Sequence, residues 1–310
     1  MITACFNQPN TPSSSSTNSY ISQVPQNVVT CTYQTQLFNT PTYLTLSWSK
    51  TLFSHSLTIS TPHIFSFTIS LNPSTLYFFR TRHASKSKSI HHRKLKLHWY
   101  FTHAKFIQNS AEPDSRFYIA ISHNGMLQFF LGDLLHDFTR RHKNTFGSAD
   151  AILVSRREHV FGSRSYVSRG VFMGSKHEIE IECGGGVLSV KVDGETRLVV
   201  KRLAWKFRGY EKIFIDGVEV EFYWDVLSWV VNGDGNGHGV FVFQVGDGTV
   251  WPEMVGAERK LIRKSASGSS VLQWAEENSD CGRTSCSSST MSCGSNATGF
   301  SLLLYAWTVN

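Results

Sequence analysis

From Val28 onward the chain is written in short stretches in which apolar and polar residues alternate, and that pattern restricts the fold more than any other feature. A period of two sends every second side chain to one face, so each stretch reads as a strand with one buried side. Leu44-Thr45-Leu46-Ser47-Trp48, Leu57-Thr58-Ile59, Phe65-Ser66-Phe67-Thr68-Ile69-Ser70-Leu71 and Leu95-Lys96-Leu97-His98-Trp99 carry the pattern first. After a connector it returns in Ile179-Glu180-Ile181, Leu188-Ser189-Val190-Lys191-Val192, Ile213-Phe214-Ile215, Val218-Glu219-Val220-Glu221-Phe222 and Val240-Phe241-Val242-Phe243. Asp193-Gly194 and Asp216-Gly217 suit two-residue hairpins whose central residues take positive φ, and Gly184-Gly185-Gly186 marks a further turn. Antiparallel ribbons are expected.

The two stretches overlay on each other. Tyr77-Phe78-Phe79-Arg80 matches Trp205-Lys206-Phe207-Arg208, the segment ending in Trp99 matches the one ending in Trp224, and Phe117-Tyr118-Ile119-Ala120-Ile121 matches Phe241-Val242-Phe243-Gln244-Val245. The expected fold is therefore all-β: an antiparallel β-sandwich or flattened barrel built from two pseudo-repeated halves, with short connecting helices. The halves span about 42–131 and about 177–245 within one domain, 28–264.

Helices are expected after Leu131, with Asp133 as N-cap and Leu134, Leu135 and Phe138 on one face, and over Pro252 to Lys264. Residues 1–27 are uncharged and rich in Ser, Thr, Asn and Gln, a composition of disorder, and 265–299 reads as a flexible Ser/Gly-rich loop. Leaving Phe300 to Trp307 in water would cost about 25 cal/mol per Å² of apolar surface. The segment 300–310 is expected to return as a strand and close a sheet edge.

With 41% hydrophobic residues among 310, global disorder is excluded. The apolar runs are far shorter than the roughly 20 residues that span a bilayer. The first nineteen residues contain neither an apolar run nor a basic residue, so a soluble protein of cytoplasm or nucleus is expected. The six cysteines form no C-x-x-C pair and are expected to be reduced; for the same reason of compartment, the sequon Asn296-Ala297-Thr298 is discounted.

Charge is strongly uneven. No Asp or Glu precedes Glu112, and nine Lys or Arg lie between Lys50 and Lys105. That segment holds +9 of a total of +7, leaving −2 for the rest. Its densest part contains Arg93, Lys94 and Lys96, a footprint for phosphates or, more plainly, a solvated hairpin whose charges protect a strand edge. Arg80 and Arg208 each follow aromatic residues and suit either stacking with an anion fork or covering of a core rim. Asp225 after Trp224 reads as structural, and His238 in a glycine-rich run reads as part of a turn. Arg156 and Glu158 fall on one strand face and Arg157 and His159 on the other, which suits a salt-bridged strand better than a catalytic group. No nucleophile elbow is present, and His91 and His92 point to opposite faces, so no metal and no cofactor is expected.

Several strings carry a family resemblance: Val29-Thr30-Cys31-Thr32-Tyr33-Gln34-Thr35, Leu131-Gly132-Asp133-Leu134, Arg156-Arg157-Glu158-His159-Val160-Phe161-Gly162, Leu203-Ala204-Trp205-Lys206-Phe207-Arg208-Gly209, Phe222-Tyr223-Trp224-Asp225-Val226 and Leu304-Tyr305-Ala306-Trp307. In this order they resemble the plant family called domain of unknown function 868, from about Val28 to the end. The resemblance implies a plant protein and no biochemical role. It also implies an acidic residue after the first Trp, where this chain has Tyr100.

The expectation is a non-catalytic intracellular binding or scaffolding module with a basic surface in its first half, its partner a protein or an anionic ligand. The alternative is a small-molecule or carbohydrate binder, or an enzyme, with a pocket between the sheets at Trp205, Tyr223 and Trp224 and polar handles in Arg208 and Asp225. The candidate binding residues are Arg80, Arg93, Lys94, Lys96, Trp205, Arg208, Trp224, Asp225 and His238.

Overall fold

Strands form wherever the alternation is regular. A computed structural model describes residues 27–51, 54–62, 64–71, 82–90, 92–107, 110–142, 151–172, 174–232, 237–246 and 299–308, with the backbone of 261–266 and 269–274. In chain order the strands are β1 (Asn27–Leu37), β2 (Thr40–Lys50), β3 (His55–Thr61), β4 (Phe65–Ser70), β5 (His83–Ile90), β6 (Arg93–Tyr100), β7 (Lys105–Phe106), β8 (Pro113–Ser115), β9 (Tyr118–His123) and β10 (Met126–Gly132). Helix α1 (Leu135–His142) leads to β11 (Ile152–Gly162), β12 (Ser165–Phe172), β13 (Ser175–Gly184), β14 (Val187–Val192), β15 (Glu195–Lys201), β16 (Arg208–Ile215) and β17 (Val218–Asp225). Helix α2 (Leu227–Asn232), β18 (His238–Val245), β19 (Leu261–Ala266), β20 (Ser269–Trp274) and β21 (Phe300–Thr308) follow.

One long sheet runs β16-β17-β18-β21-β11-β1-β2-β3-β4, and two four-stranded sheets, β10-β9-β6-β5 and β12-β13-β14-β15, cover its two ends. Each cover closes its own core. Leu46, Trp48, Leu57 and Ile59 of the long sheet meet Leu95, Leu97, Trp99 and Ile119 of the first cover. Phe222, Trp224, Phe241 and Leu304 meet Ile179, Ile181, Leu188 and Val190 of the second. The result is an all-β sandwich in which, among the described residues, no barrel closes. The outward face of β1 to β4 carries hydroxyl residues, some paired across strands, as in Thr30 with Ser47 at 3.1 Å and Thr58 with Thr68 at 3.0 Å.

Each half runs as a four-strand meander, a crossing, and a second four-strand meander, β1 to β4 then β5-β6-β9-β10, and β12 to β15 then β16-β17-β18-β21. Trp99 and Trp224 both lie on the second strand of a second meander and point into their own core. The third matched block is offset, however: Trp99 faces Ile119 across the ladder and Trp224 faces Phe241, so Ile119, not Phe117, stands where Phe241 does. A slip of two residues keeps every side chain on its own face, which is why alternation did not reveal it. The first block falls partly at Tyr77 to Arg80, outside the described residues.

The expected hairpins form: Asp193-Gly194 and Asp216-Gly217 have φ of 52° and 81°, and 49° and 77°. Phe38 and Asn39 do the same without glycine, at 58° and 63°, a strained conformation for a bulky residue.

Three expectations are corrected. The terminal strand does return, but β21 lies in the middle of the long sheet, parallel to β11 and antiparallel to β18, where Leu302, Leu304 and Ala306 join the core under the second cover. Helix α1 begins at Leu135, since the Asp133 carboxylate accepts the Arg116 and Phe117 backbone N–H groups at 2.9 and 3.1 Å and does not cap a helix. Of the three residues expected on one face, Phe138 is buried and Leu134 half-buried, whereas Leu135 is exposed. Leu261 to Lys264 belong to a β-hairpin and not to a helix, and β20 falls inside the stretch expected to be a loop. The rest of 247–298 and residues 1–26 lie outside the described residues.

Gly209 faces Trp224 across the β16–β17 ladder, and a Cβ there would overlap the indole carbons. Gly209→Ala should lower stability by about 1–3 kcal/mol through overpacking. Urea denaturation of the variant checks this, and an unchanged midpoint would show that Trp224 is not held as described.

Candidate functional site

The strongest buried polar cluster lies where the two cores meet. Arg156 points inward from β11, donating to Glu112, to Glu158 Oε2 from Nε at 3.3 Å and from Nη2 at 3.2 Å, and to Cys31 Sγ at 3.5 Å. Ser168 Oγ donates to Glu158 Oε2 at 2.7 Å. Glu158 is on the Arg156 face, as strand alternation requires. The two carboxylates hold the guanidinium charged despite its burial. Burial, then Glu112, pushes the Cys31 thiol up to about 12, and burial pushes Cys183 up to about 11, so both thiols stay protonated and are poor nucleophiles. Among the described residues no group of three His, Cys, Asp or Glu is placed to hold a metal ion.

The basic hairpin β5–β6 divides its cations between two faces. Residues paired directly across an antiparallel ladder share a face. Lys94 and Lys96 pair with Ser89 and Ser87 and point outward, whereas Lys86 and Lys88 pair with Leu97 and Leu95 and point toward the core side. Arg93 pairs with Ile90 on that same core side, and its guanidinium lies 5.3 Å from the centroid of the Phe38 ring, over the strained hairpin. The trio Arg93, Lys94 and Lys96 therefore does not converge.

The outward face gains cations that the sequence did not single out. Helix α1 lies across it, packing Phe138 on His98 at 5.4 Å and on Tyr118 at 5.3 Å. This brings exposed Arg141 onto the face, its guanidinium 5.1 Å from the Tyr100 ring centroid, and Arg141 and Lys96 both lie near His142. Arg140 pairs with Asp137, but among the described residues Lys94, Lys96 and Arg141 form no ion pair. The signal for them was the run Arg140-Arg141-His142 in the last turn of a short helix.

Under α1, His98 and His142 pack ring to ring at 4.4 Å, and His98 Nε2 lies 3.1 Å from Ser122 Oγ. Burial, with His142 and Lys96 nearby, holds His98 down at about 4; burial, Lys96, His83 and Arg141 lower His142 as well. Both rings are neutral in the fold near pH 7.

Among the described residues the candidates of the second half do not converge on one pocket: Trp224 lines a depression between β15 and β16, without Trp205, Tyr223, Arg208 or Asp225. Trp205 is 86% exposed on a turn, Trp224 is buried in the core with Nε1 donating to the Lys206 carbonyl at 2.9 Å, and Tyr223 points to the opposite face of the sheet. Arg208 Nε donates to Asp225 Oδ2 at 2.8 Å across the ladder, while Asp225 Oδ1 accepts the Leu227 N–H at the start of α2. That carboxylate is engaged in joining strand to helix. His238 stacks against Trp307 at 4.7 Å, and burial lowers its pKa; the glycine run before it, 233–236, lies outside the described residues. Arg80 also lies outside them.

Fold and site together define an all-β protein of two fused sandwiches with a basic face on the first cover sheet. The chain belongs to the family described as "Plant protein of unknown function (DUF868)", whose model matches residues 24–308. No curated protein and no solved structure matches it. Among the described residues no helix is long and apolar enough to cross a membrane.

His98 and His142 generate a pH prediction. Their folded pKa values lie below the ordinary 6.5, so the unfolded chain takes up protons that the folded chain refuses. Their effect on stability is absent above about pH 7 and grows as pH falls from 6.5 toward 4. Denaturation midpoints should show a loss of roughly 1–2 kcal/mol between pH 7 and pH 5, diminished in His98→Gln. An identical pH dependence in that variant would contradict the assignment to His98.

Proposed function

We propose that this protein is a non-catalytic binding module of cytoplasm or nucleus that presents the outward face of β5 and β6, with α1, to a phosphate-rich polyanion. The observation that carries this reading is the gathering of Lys94, Lys96 and Arg141 on one face without carboxylate partners among the described residues. A sheet face bearing cations beside serines offers point charges and small hydroxyl donors to phosphate oxygens. Single-stranded nucleic acid suits it better than a lipid surface. Tyr100, His83 and His103 lie together at the Arg141 end of this face and offer rings for stacking, with Tyr100 5.2 and 6.1 Å from the two imidazoles. The exposed side chains of β5 and β6 on this face are His83, Ser85, Ser87, Ser89, Lys94 and Lys96, none of them a wedge for a bilayer. The shared succession of meanders supports a second part of the reading, that the halves descend from one repeated unit.

Titration of the full chain with a labelled single-stranded oligonucleotide and with phosphatidylserine vesicles, over a series of salt concentrations, tests the proposal. The oligonucleotide should bind more tightly, and Lys94→Gln, Lys96→Gln and Arg141→Gln together should reduce the slope of log K against log salt by about 2. Arg93→Gln removes the same unit of charge on the other face and should leave binding unchanged. Absence of oligonucleotide binding, or an equal loss from Arg93→Gln alone, overturns the proposal.

A further inference from the structure

Among the described residues the first sandwich is open along one side. β4 ends the long sheet and β5 ends its cover, and between these two edges lies a cleft of about 330 Å³. That volume is within the range of small-molecule sites. Its walls are the side chains of Phe65 and Phe67 from β4, Ile90 from β5, Leu95 and Leu97 from β6, and Ile121 from β9.

The polar groups of this cleft are at its lip. Lys86 and Lys88 are exposed, yet their pairing with Leu97 and Leu95 turns them toward the space between the sheets. Lys86 Nζ lies 4.8 Å from the Phe67 ring centroid, and Lys88 Nζ donates to the Ser66 carbonyl at 3.5 Å. Among the described residues neither makes an ion pair. Inward-pointing lysines on an edge strand keep two open edges from recruiting another chain, which is sufficient reason for one such residue. Two, spaced to lie side by side over an aliphatic and aromatic floor, also make a cationic mouth on an apolar slot.

The corresponding side of the second sandwich, between β15 and β16, shows the contrast. A depression of about 400 Å³ there is lined by Leu198, Lys201, Arg202 and Lys206 but also by the carboxylate of Glu211. It combines both signs of charge, whereas among the described residues the first cleft has cations alone.

We propose that the β4–β5 cleft binds a linear aliphatic chain that ends in a single anionic head, a ligand of the fatty-acid type. The chain lies against Phe67, Leu95, Leu97 and Ile121, and the head meets the ammonium groups of Lys86 and Lys88. The site is separate from the outward basic face, since the two occupy opposite sides of the same cover sheet.

Calorimetric titration of the full chain with dodecanoate, octanoate and dodecanol tests this. Dodecanoate should bind one to one, and each methylene lost on the way to octanoate should weaken binding about three- to fourfold. The Lys86→Glu, Lys88→Glu double variant keeps charge on the edge and so preserves its protection. It should weaken dodecanoate about tenfold or more while leaving dodecanol unchanged. Methyl resonances of Leu95, Leu97 and Ile121 should shift on binding. Lack of saturable dodecanoate binding, equal affinity in the double variant, or shifts confined to methyl groups elsewhere would overturn the proposal. Oligonucleotide binding by the same variant reports separately on the outward face.

Discussion

A buried guanidinium sits at the seam on which the whole arrangement depends. The inner face of β11 runs between two cores: β1 on one side contributes Val29, Cys31 and Tyr33 to the first, and β21 on the other contributes Leu302 and Leu304 to the second. At the middle of this strand the side chains are Arg156 and Glu158, joined by Glu112 from the first half and Ser168 from the second. Burying such charges is costly, and the cost is offset only when each is paired and hydrogen-bonded. The cluster meets that condition only if both halves are in place, because its partners come from β1, the segment before β8, β11 and β12. A continuous apolar face there would let the cover sheets slide along the long sheet. The ion pair marks one position where each must stop.

The seam also accounts for where the functional surfaces lie. Because the halves share a single nine-stranded sheet, each cover has one face committed to a core and the other turned to solvent. In the first half that solvent face receives α1, whose Phe138 anchors it and whose last turn adds Arg141 to the face that carries the lysines of β6. Charge segregation in the sequence thus becomes a surface. Among the described residues the same cover leaves its β5 edge unpaired, and the inward lysines there suit both the protection of that edge and the proposed cleft ligand.

Much of the fold was legible because burial on one face imposes a period of two. The strands and the common face of Arg156 and Glu158 follow from it, while the hairpins were legible from their Asp-Gly pairs and the return of the terminal segment from the cost of exposing it. What alternation cannot encode is which strand neighbours which. It gave no hint that β21 would sit between β18 and β11, nor that the third matched block was displaced by two residues. The candidate site was less legible for the same reason. In Ser85-Lys86-Ser87-Lys88-Ser89 both faces are polar, so only pairing with Leu95 and Leu97 shows that the lysines point inward. Arg93 and Lys94 are adjacent in sequence and end on opposite faces, one over Phe38 and the other in solvent. Asp225 and Arg208 looked like polar handles and prove to be each other's partners.

Native-state hydrogen exchange tests most directly whether the Arg156 seam makes the two sandwiches one cooperative unit. The amides of β2 and β3 in the first half, and of β17 and β18 in the second, should open with a common free energy. Arg156→Ala, which strands Glu112 and Glu158 without their cation, should lower both sets together by about 3–5 kcal/mol. Different opening energies for the two halves, or a loss confined to β11 and its immediate neighbours, would contradict this account.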